Sequence, residues 1–114
     1  MKKSLEIKTA KARKSIATQI EKAVRGELAI FEHEEYKIER DDYEHFTEIN
    51  ITNGSFMFSM SELNRVKAAF DKYFDKYGIR YMTMTIHAHQ TMTPSLHLPV
   101  STPCIRISVN EQYK

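Results

Sequence analysis

The stretch SMSELNRVKAAFDKYFDKYG, residues 59–78, decides the fold, because it holds the clearest helix signal in the chain. Ser59 and Glu62 have the spacing of a capping box, in which each side chain accepts a hydrogen bond from the other residue's backbone N–H. Apolar side chains then recur at helical spacing and form one broad face: Leu63, Val66, Phe70, Tyr73, Phe74 and Tyr77. Gly78 follows, where helices commonly end. The sequence therefore predicts a helix to Tyr77 whose aromatic face anchors the core.

Segments on both sides of this helix alternate between apolar and polar residues, as β-strands do. Five strands are predicted, over residues 28–40, 43–52, 55–59, 79–90 and 104–110. Asn53-Gly54 is typical of a tight hairpin turn, since both central residues of such a turn need positive φ. Residues 91–103 are rich in Thr, Ser and Pro and are predicted to form a loop.

A second helix is predicted over residues 4–25, with Ile16, Ile20 and Val24 on its apolar stripe and Gly26 as its C-cap. The element order is then α-β-β-β-α-β-β. We expect one two-layer α+β domain spanning residues 1–114, with a mostly antiparallel five-stranded sheet and both helices on one face. The other face of the sheet would be open and polar. Residues 1–11 are expected to fray as a basic arm.

Composition excludes several classes of protein. The chain has 114 residues, of which 41% are hydrophobic and 28% are charged, as in a globular domain. Cys104 is the single cysteine, so no internal disulfide forms, and a buried structural thiol in a cytoplasmic setting is the expectation. No run approaches the ~20 apolar residues of a membrane span, and no secretory signal is evident. Gly-rich phosphate loops and serine elbows are missing, so no cofactor is expected.

Charge is sorted along the chain. Residues 1–26 contain eight basic and two acidic residues, whereas residues 27–48 contain nine acidic and two basic ones. The formal net charge of +2 hides this separation. Segregated charge concerns partners, solubility and encounter rates rather than fold.

The acidic segment is the first candidate site, for binding a protein. Its carboxylates are Glu32, Glu34, Glu35, Asp41, Asp42, Glu44 and Glu48. A row of carboxylates on a hairpin can imitate a nucleic acid backbone or match a basic patch on a protein. Two alternatives remain open: the row faces the molecule's own basic helix, or it guards an exposed edge strand against aggregation.

The basic first helix is the second candidate site, for contact with nucleic acid. Lys8, Lys11, Arg13 and Lys14 are suited to phosphate contact, in which each neutralised phosphate releases counterions. The alternative is a solvated helix face that keeps a small protein soluble.

His87-Ala88-His89 is the third candidate site. Residues two apart on a strand share a face, so both imidazoles could bind one metal ion or one phosphate. A third ligand would come from His33, His45, His97 or a carboxylate. The alternative is that His87 and His89 simply line the solvated side of the sheet.

This histidine pair carries a short resemblance. His87-Ala88-His89 and Tyr73-Phe74-Asp75-Lys76, seven residues in all, resemble the His-hydrophobic-His nucleases of rolling-circle replication and transposition. The resemblance implies that His87 and His89 bind Mg or Mn. It also implies that Tyr73 attacks the scissile phosphate while Lys76 steadies the anion. The element order departs from these enzymes, because here the helix precedes the histidine strand, whereas in replication initiators it follows.

Together these patterns favour a non-catalytic binding protein that meets a protein partner through its acidic hairpin and open sheet face. One concrete form is an inhibitor or accessory factor of a nucleic-acid-handling protein. Nucleic acid binding by the basic helix and metal-dependent phosphodiester cleavage by His87 and His89 are the alternatives. No membrane partner is expected, and outer strands that pair across a two-fold axis would make a homo-oligomer.

Overall fold

The computed structural model describes residues 5–32, 34–54, 57–92 and 99–112, with the backbone alone at residues 89–92 and 99–102. Two helices and four strands occur in the order α1 (Ala10–Leu28), β1 (Tyr36–Asp42), β2 (Phe46–Asn53), α2 (Met60–Tyr77), β3 (Met82–Met92) and β4 (Pro99–Asn110). All neighbouring strands are antiparallel, in the spatial order β1-β2-β4-β3. The α+β class is confirmed, but the sheet has four described strands rather than five.

The predicted strand over residues 55–59 depends on a hairpin turn at Asn53-Gly54, and the prediction of that turn is wrong. Gly54 does not have the positive φ that this turn needs. Instead, its N–H donates to the Glu35 carbonyl at 2.8 Å, and the Asn53 amide donates to the Glu62 carboxylate at 3.0 Å. The chain therefore leads into α2 rather than turning back. Residues 57–59 of the predicted strand are not in a strand, and residues 55–56 lie outside the described residues.

The first helix is displaced along the chain relative to its prediction. Thr9 caps its start and accepts a hydrogen bond from the Ala12 N–H, so α1 begins at Ala10. It continues through Gly26, which is not the C-cap, to Leu28. The strand predicted over residues 28–40 consequently starts only at Tyr36.

The described part of the predicted basic arm, residues 5–11, is held against the fold. The Leu5 N–H donates to the Lys76 carbonyl at 2.8 Å, and the Ile7 carbonyl accepts from the Gln112 N–H. The Ile7 side chain is fully buried in the core. This segment is therefore anchored between α2 and the residues after β4.

Both helices pack on one face of the sheet. Their apolar stripes, which include Ile16, Ile20, Val66 and Phe70, join one core cluster with the inward-facing strand residues. The inward-facing strand residues that are fully or almost fully buried are Ile49, Ile51, Met82, Ile105, Ile107 and Val109. Polar residues alternate with them along β2 and β4 and face the other side. The predicted two-layer arrangement, with one open polar sheet face, is therefore present.

Strands β3 and β4 extend beyond the rest of the sheet. The last β2–β4 pair is Ile51 with Ile105, whereas β3 and β4 stay paired as far as Met92 with Pro99. The loop predicted over residues 91–103 is therefore partly strand, and residues 93–98 lie outside the described residues.

Candidate functional site

The outer face of the sheet, on the side away from both helices, forms a shallow groove of about 570 Å³. Strand register places Glu39 of β1 beside Asn50 of β2, and Asn50 beside Arg106 of β4. The carboxylates that line the groove are Glu35, Glu39, Asp41 and Glu48. Lys37 and Arg106 are the Lys and Arg residues in its lining. The groove is therefore polar and carries more negative than positive charge.

The two cations of the groove are engaged within the molecule. Lys37 Nζ lies 2.8 Å from a Glu39 carboxylate oxygen. Arg106 Nε donates to the Asn50 side-chain oxygen at 3.0 Å and lies 3.8 Å from Glu48. Their charge is thus already matched by Glu39 and Glu48.

Five of the predicted acidic residues lie along or beside the edge strand β1. We call this set the acidic rim: Glu32, Glu34, Glu35, Asp41 and Glu44. Three of them lie in the connection between α1 and β1, one near the end of β1, and one in the turn before β2. Within the described part of the chain, no Lys or Arg side chain forms an ion pair with any of the five. Glu44 is 88% exposed and lies 3.6 Å from His45.

Asp42 and Glu48, which the sequence groups with the rim, behave differently. A carboxylate oxygen of Asp42 accepts hydrogen bonds from Thr47 Oγ1 at 2.7 Å and from Arg40 Nε at 3.2 Å. Partial burial opposes ionisation of Asp42, but these two bonds and the positive charges of Arg40 and Lys14 together outweigh it and lower the pKa of the carboxyl. Glu48 is held near Arg106. Both carboxylates therefore support the sheet rather than the exposed rim.

Arg13 is not on the surface, although the sequence groups it with the exposed lysines. Its guanidinium is 1% exposed and pairs with Glu111. It also donates to Thr47 Oγ1 at 3.1 Å and to the carbonyls of Glu44 and Tyr43 at 3.0 and 2.8 Å. The buried guanidinium therefore bonds to groups of its own chain, so Arg13 is not placed to contact nucleic acid.

Lys8, Lys11 and Lys14 are exposed. Helices α1 and α2 together carry nine basic and five acidic residues, whereas residues 29–53 carry eight acidic and two basic ones. Because both helices lie on one face of the sheet, the helix layer is basic. The groove occupies the opposite face, and the acidic rim follows the β1 edge, where Glu32 and Glu34 line a smaller pocket together with Arg25 of α1.

The two histidines whose side chains the structure describes, His45 and His87, do not come together. His87 lies directly across from Cys104 in the register and lines the groove, but His45 is in the β1–β2 turn at the other end of the sheet. His33 and His97 lie outside the described residues, and for His89 only the backbone is described. Among the side chains that are described, no three His, Cys, Asp or Glu residues could hold a metal ion.

Tyr73 and His87 lie on opposite faces of the sheet, so the nuclease arrangement implied by the resemblance is not formed. Tyr73 is half-buried against the core on the helix side, with Lys76 Nζ 5.8 Å from its ring centroid. His87 faces the groove on the outer side. The thiol of Cys104 is buried, which raises its pKa. It therefore fits a structural role better than a nucleophilic one.

The sequence analysis does not predict a buried polar cluster that lies at the start of α2. The Glu62 carboxylate is 5% exposed and accepts hydrogen bonds from the Tyr36 hydroxyl and the Asn53 amide. It also accepts from the Ser59 N–H at 2.9 Å, which completes the predicted capping box. The capping-box spacing indicates the contact with Ser59, but no local pattern indicates Tyr36 or Asn53.

In the part of the chain that the structure describes, neither helix has the length and apolar character needed to cross a membrane. Comparison of the chain with protein-family models, with curated proteins and with solved structures finds no match.

Proposed function

We propose that this chain is a non-catalytic binding protein that takes up a basic segment of a partner protein along its acidic rim and outer groove. The observation that carries the proposal is the set of five rim carboxylates, along or beside β1, with which no described Lys or Arg side chain forms an ion pair. A partner cation placed there gains attraction without displacing an existing ion pair.

Charge of this kind acts on encounter rate and specificity. A partner with a basic patch is attracted to the rim from a distance, and a partner with an acidic patch is repelled. The groove then offers hydrogen-bonding groups on Asn50, Thr52 and Arg106 for fixing the bound segment. One concrete partner is a nucleic-acid-handling protein, since a groove that binds phosphates also suits a row of carboxylates.

The test is a charge reversal with a matched control. Glu32, Glu34 and Glu35 are changed to Lys together, and the variant is used as bait in pull-downs from the native lysate, with captured proteins identified by mass spectrometry. The control changes Glu6, Asp71 and Asp75 to Lys, which alters the net charge equally at sites outside the rim. We expect the rim variant to lose basic partners that the wild type and the control retain. An unchanged set of partners would remove the rim from consideration.

Nucleic acid contact through Lys8, Lys11 and Lys14 is a second candidate, favoured by their exposure on α1 and in the segment just before it. Binding of this kind weakens steeply as salt rises, because bound counterions are released. Titration with an oligonucleotide tests it directly. If no binding is detected at low ionic strength, this candidate is eliminated. Metal-dependent cleavage by His87 and His89 has no observation of this structure in its favour.

A further inference from the structure

The two edges of the sheet differ sharply in charge. Five of the seven residues of β1 are charged, which is the usual protection of an exposed edge against pairing with another chain. In contrast, residues 81–105, which include all of β3, contain no Lys, Arg, Asp or Glu. In a chain that is 28% charged, this run leaves one edge unprotected.

The outer side of β3 also has backbone N–H and C=O groups that are not paired with a described strand. Strand β3 pairs with β4 on one side, and no described strand pairs with its other side. The side chains of Thr85, Ile86 and Ala88 are exposed, and Ile86 is 54% exposed despite its β-branched apolar side chain. Such a strand presents a row of N–H and C=O groups that can template another strand. It has no Pro between Met82 and Met92 that would interrupt pairing.

We propose that β3 pairs antiparallel with β3 of a second copy of this chain, across a two-fold axis, to form a continuous eight-stranded sheet. A second copy fits because the edge is uncharged, so two identical edges meet without repulsion. The register that uses the whole strand centres on His87. It places Ile86 opposite Ala88 of the second copy, so the exposed apolar side chains cover each other. Antiparallel pairing about this centre also places the outer sheet faces of the two copies on the same side of the joined sheet.

The assembly has a consequence for the acidic rims. Because β1 is the edge farthest from β3, the two rims lie at opposite ends of the joined sheet. The dimer would therefore present two separate acidic surfaces, each available to its own partner. This inference does not depend on the proposed function, since the pairing uses the other edge of the molecule.

The experiment is sedimentation velocity over a range of protein concentrations. The wild type is compared with Ile86→Lys and Thr85→Lys, which add the charge that β1 carries and β3 lacks. Ile30→Lys is the matched control, because Ile30 is also 54% exposed but lies in the connection before β1. We expect a wild-type dimer, a control dimer, and dimerisation weakened by about tenfold or more in both β3 variants. A monomeric wild type, a larger assembly, or dimers that resist both β3 substitutions would overturn the proposal.

Hydrogen exchange on the wild type keeps the test independent of how the variants fold. We expect those amides of residues 83–88 that face away from β4 to become more protected as protein concentration rises, while those of β1 do not change. Exchange of the β3 amides that is independent of concentration would also overturn the proposal.

Discussion

The buried guanidinium of Arg13 pairs with Glu111, a residue ninety-eight positions further along the chain. This contact joins the first turn of α1 to the segment that follows β4, and bonds from the same guanidinium reach the β1–β2 turn. Removing one partner of a buried ion pair leaves the other uncompensated. Arg13→Ala is therefore expected to lower the free energy of unfolding by about 3–5 kcal/mol, measured by urea denaturation.

Lys14→Ala is the matched control for Arg13→Ala. Lys14 is the next residue of the same helix, and its side chain is exposed. Its loss should change the free energy of unfolding by no more than about 0.5 kcal/mol. Equal, small effects of the two substitutions would show that the Arg13 contacts do not hold the fold together.

The Tyr36–Glu62 hydrogen bond makes stability depend on pH in both directions. Burial and the neighbouring carboxylate raise the pKa of Tyr36. The Glu62 pKa is lowered, because bonds from Tyr36, Ser59 and Asn53 outweigh the cost of burial. The stabilisation that ionised Glu62 adds to the free energy of unfolding is complete above the usual carboxyl pKa of 4.5, and it is lost as pH falls through the lowered pKa. The Tyr36 contribution is complete below the usual pKa of 10.0 and is lost as pH rises through the raised value.

Tyr36→Phe tests this dependence. At neutral pH it should lower the free energy of unfolding by about 1.5–3 kcal/mol, the value of a hydrogen bond to a charged group. The difference from the wild type should shrink in strong alkali, and acid unfolding of the variant should begin at a higher pH. Urea denaturation across a pH series measures both effects. Tyr73→Phe is the control, because Tyr73 packs on the same core outside this cluster, and it should leave the pH of acid unfolding unchanged. Parallel curves of unfolding free energy against pH for Tyr36→Phe and the wild type would contradict the prediction.

Two glycines are expected to respond to alanine with opposite signs. Gly78 caps α2 with φ of +83°, a conformation that side chains rarely adopt, so Gly78→Ala should destabilise by about 1–3 kcal/mol. Gly26 lies inside α1, and a Cβ there would meet nothing within 4 Å. Gly26→Ala should therefore stabilise by about 0.5–1 kcal/mol. Thermal denaturation of both variants checks the signs, and a shift in the same direction would contradict the argument.

Local signals account for what the sequence predicts well. Helix α2 follows from its capping box and its apolar spacing, which are properties of the segment itself. The alternation of Ile49, Ile51, Ile105 and Ile107 likewise identifies the inward face of the central strands. These patterns depend on neighbours within a few residues, so they can be recognised in the sequence without knowledge of the fold.

Features decided by distant residues are the ones that the sequence does not reveal. Asn53-Gly54 has the composition of a hairpin turn, but Glu35 and Glu62 from elsewhere in the chain take up its hydrogen-bonding groups. Arg13 is basic like its exposed lysine neighbours, and its burial is made favourable by Glu111, Thr47 and the β1–β2 turn, which are all distant in sequence. Asp41 and Asp42 are adjacent and chemically alike, and strand alternation alone gives Asp42 its partners.

Strand β4 is the last of the four described strands along the chain, yet it lies between β2 and β3 in the sheet. During synthesis on the ribosome, the β1–β2 hairpin and α2 emerge before the strand that joins them to β3. A nascent chain therefore has no complete sheet, and its hydrophobic inner face stays accessible until β4 has left the exit tunnel. Premature termination ahead of Cys104 would release a fragment with two unjoined sheet halves, which we expect chaperones or proteases to capture.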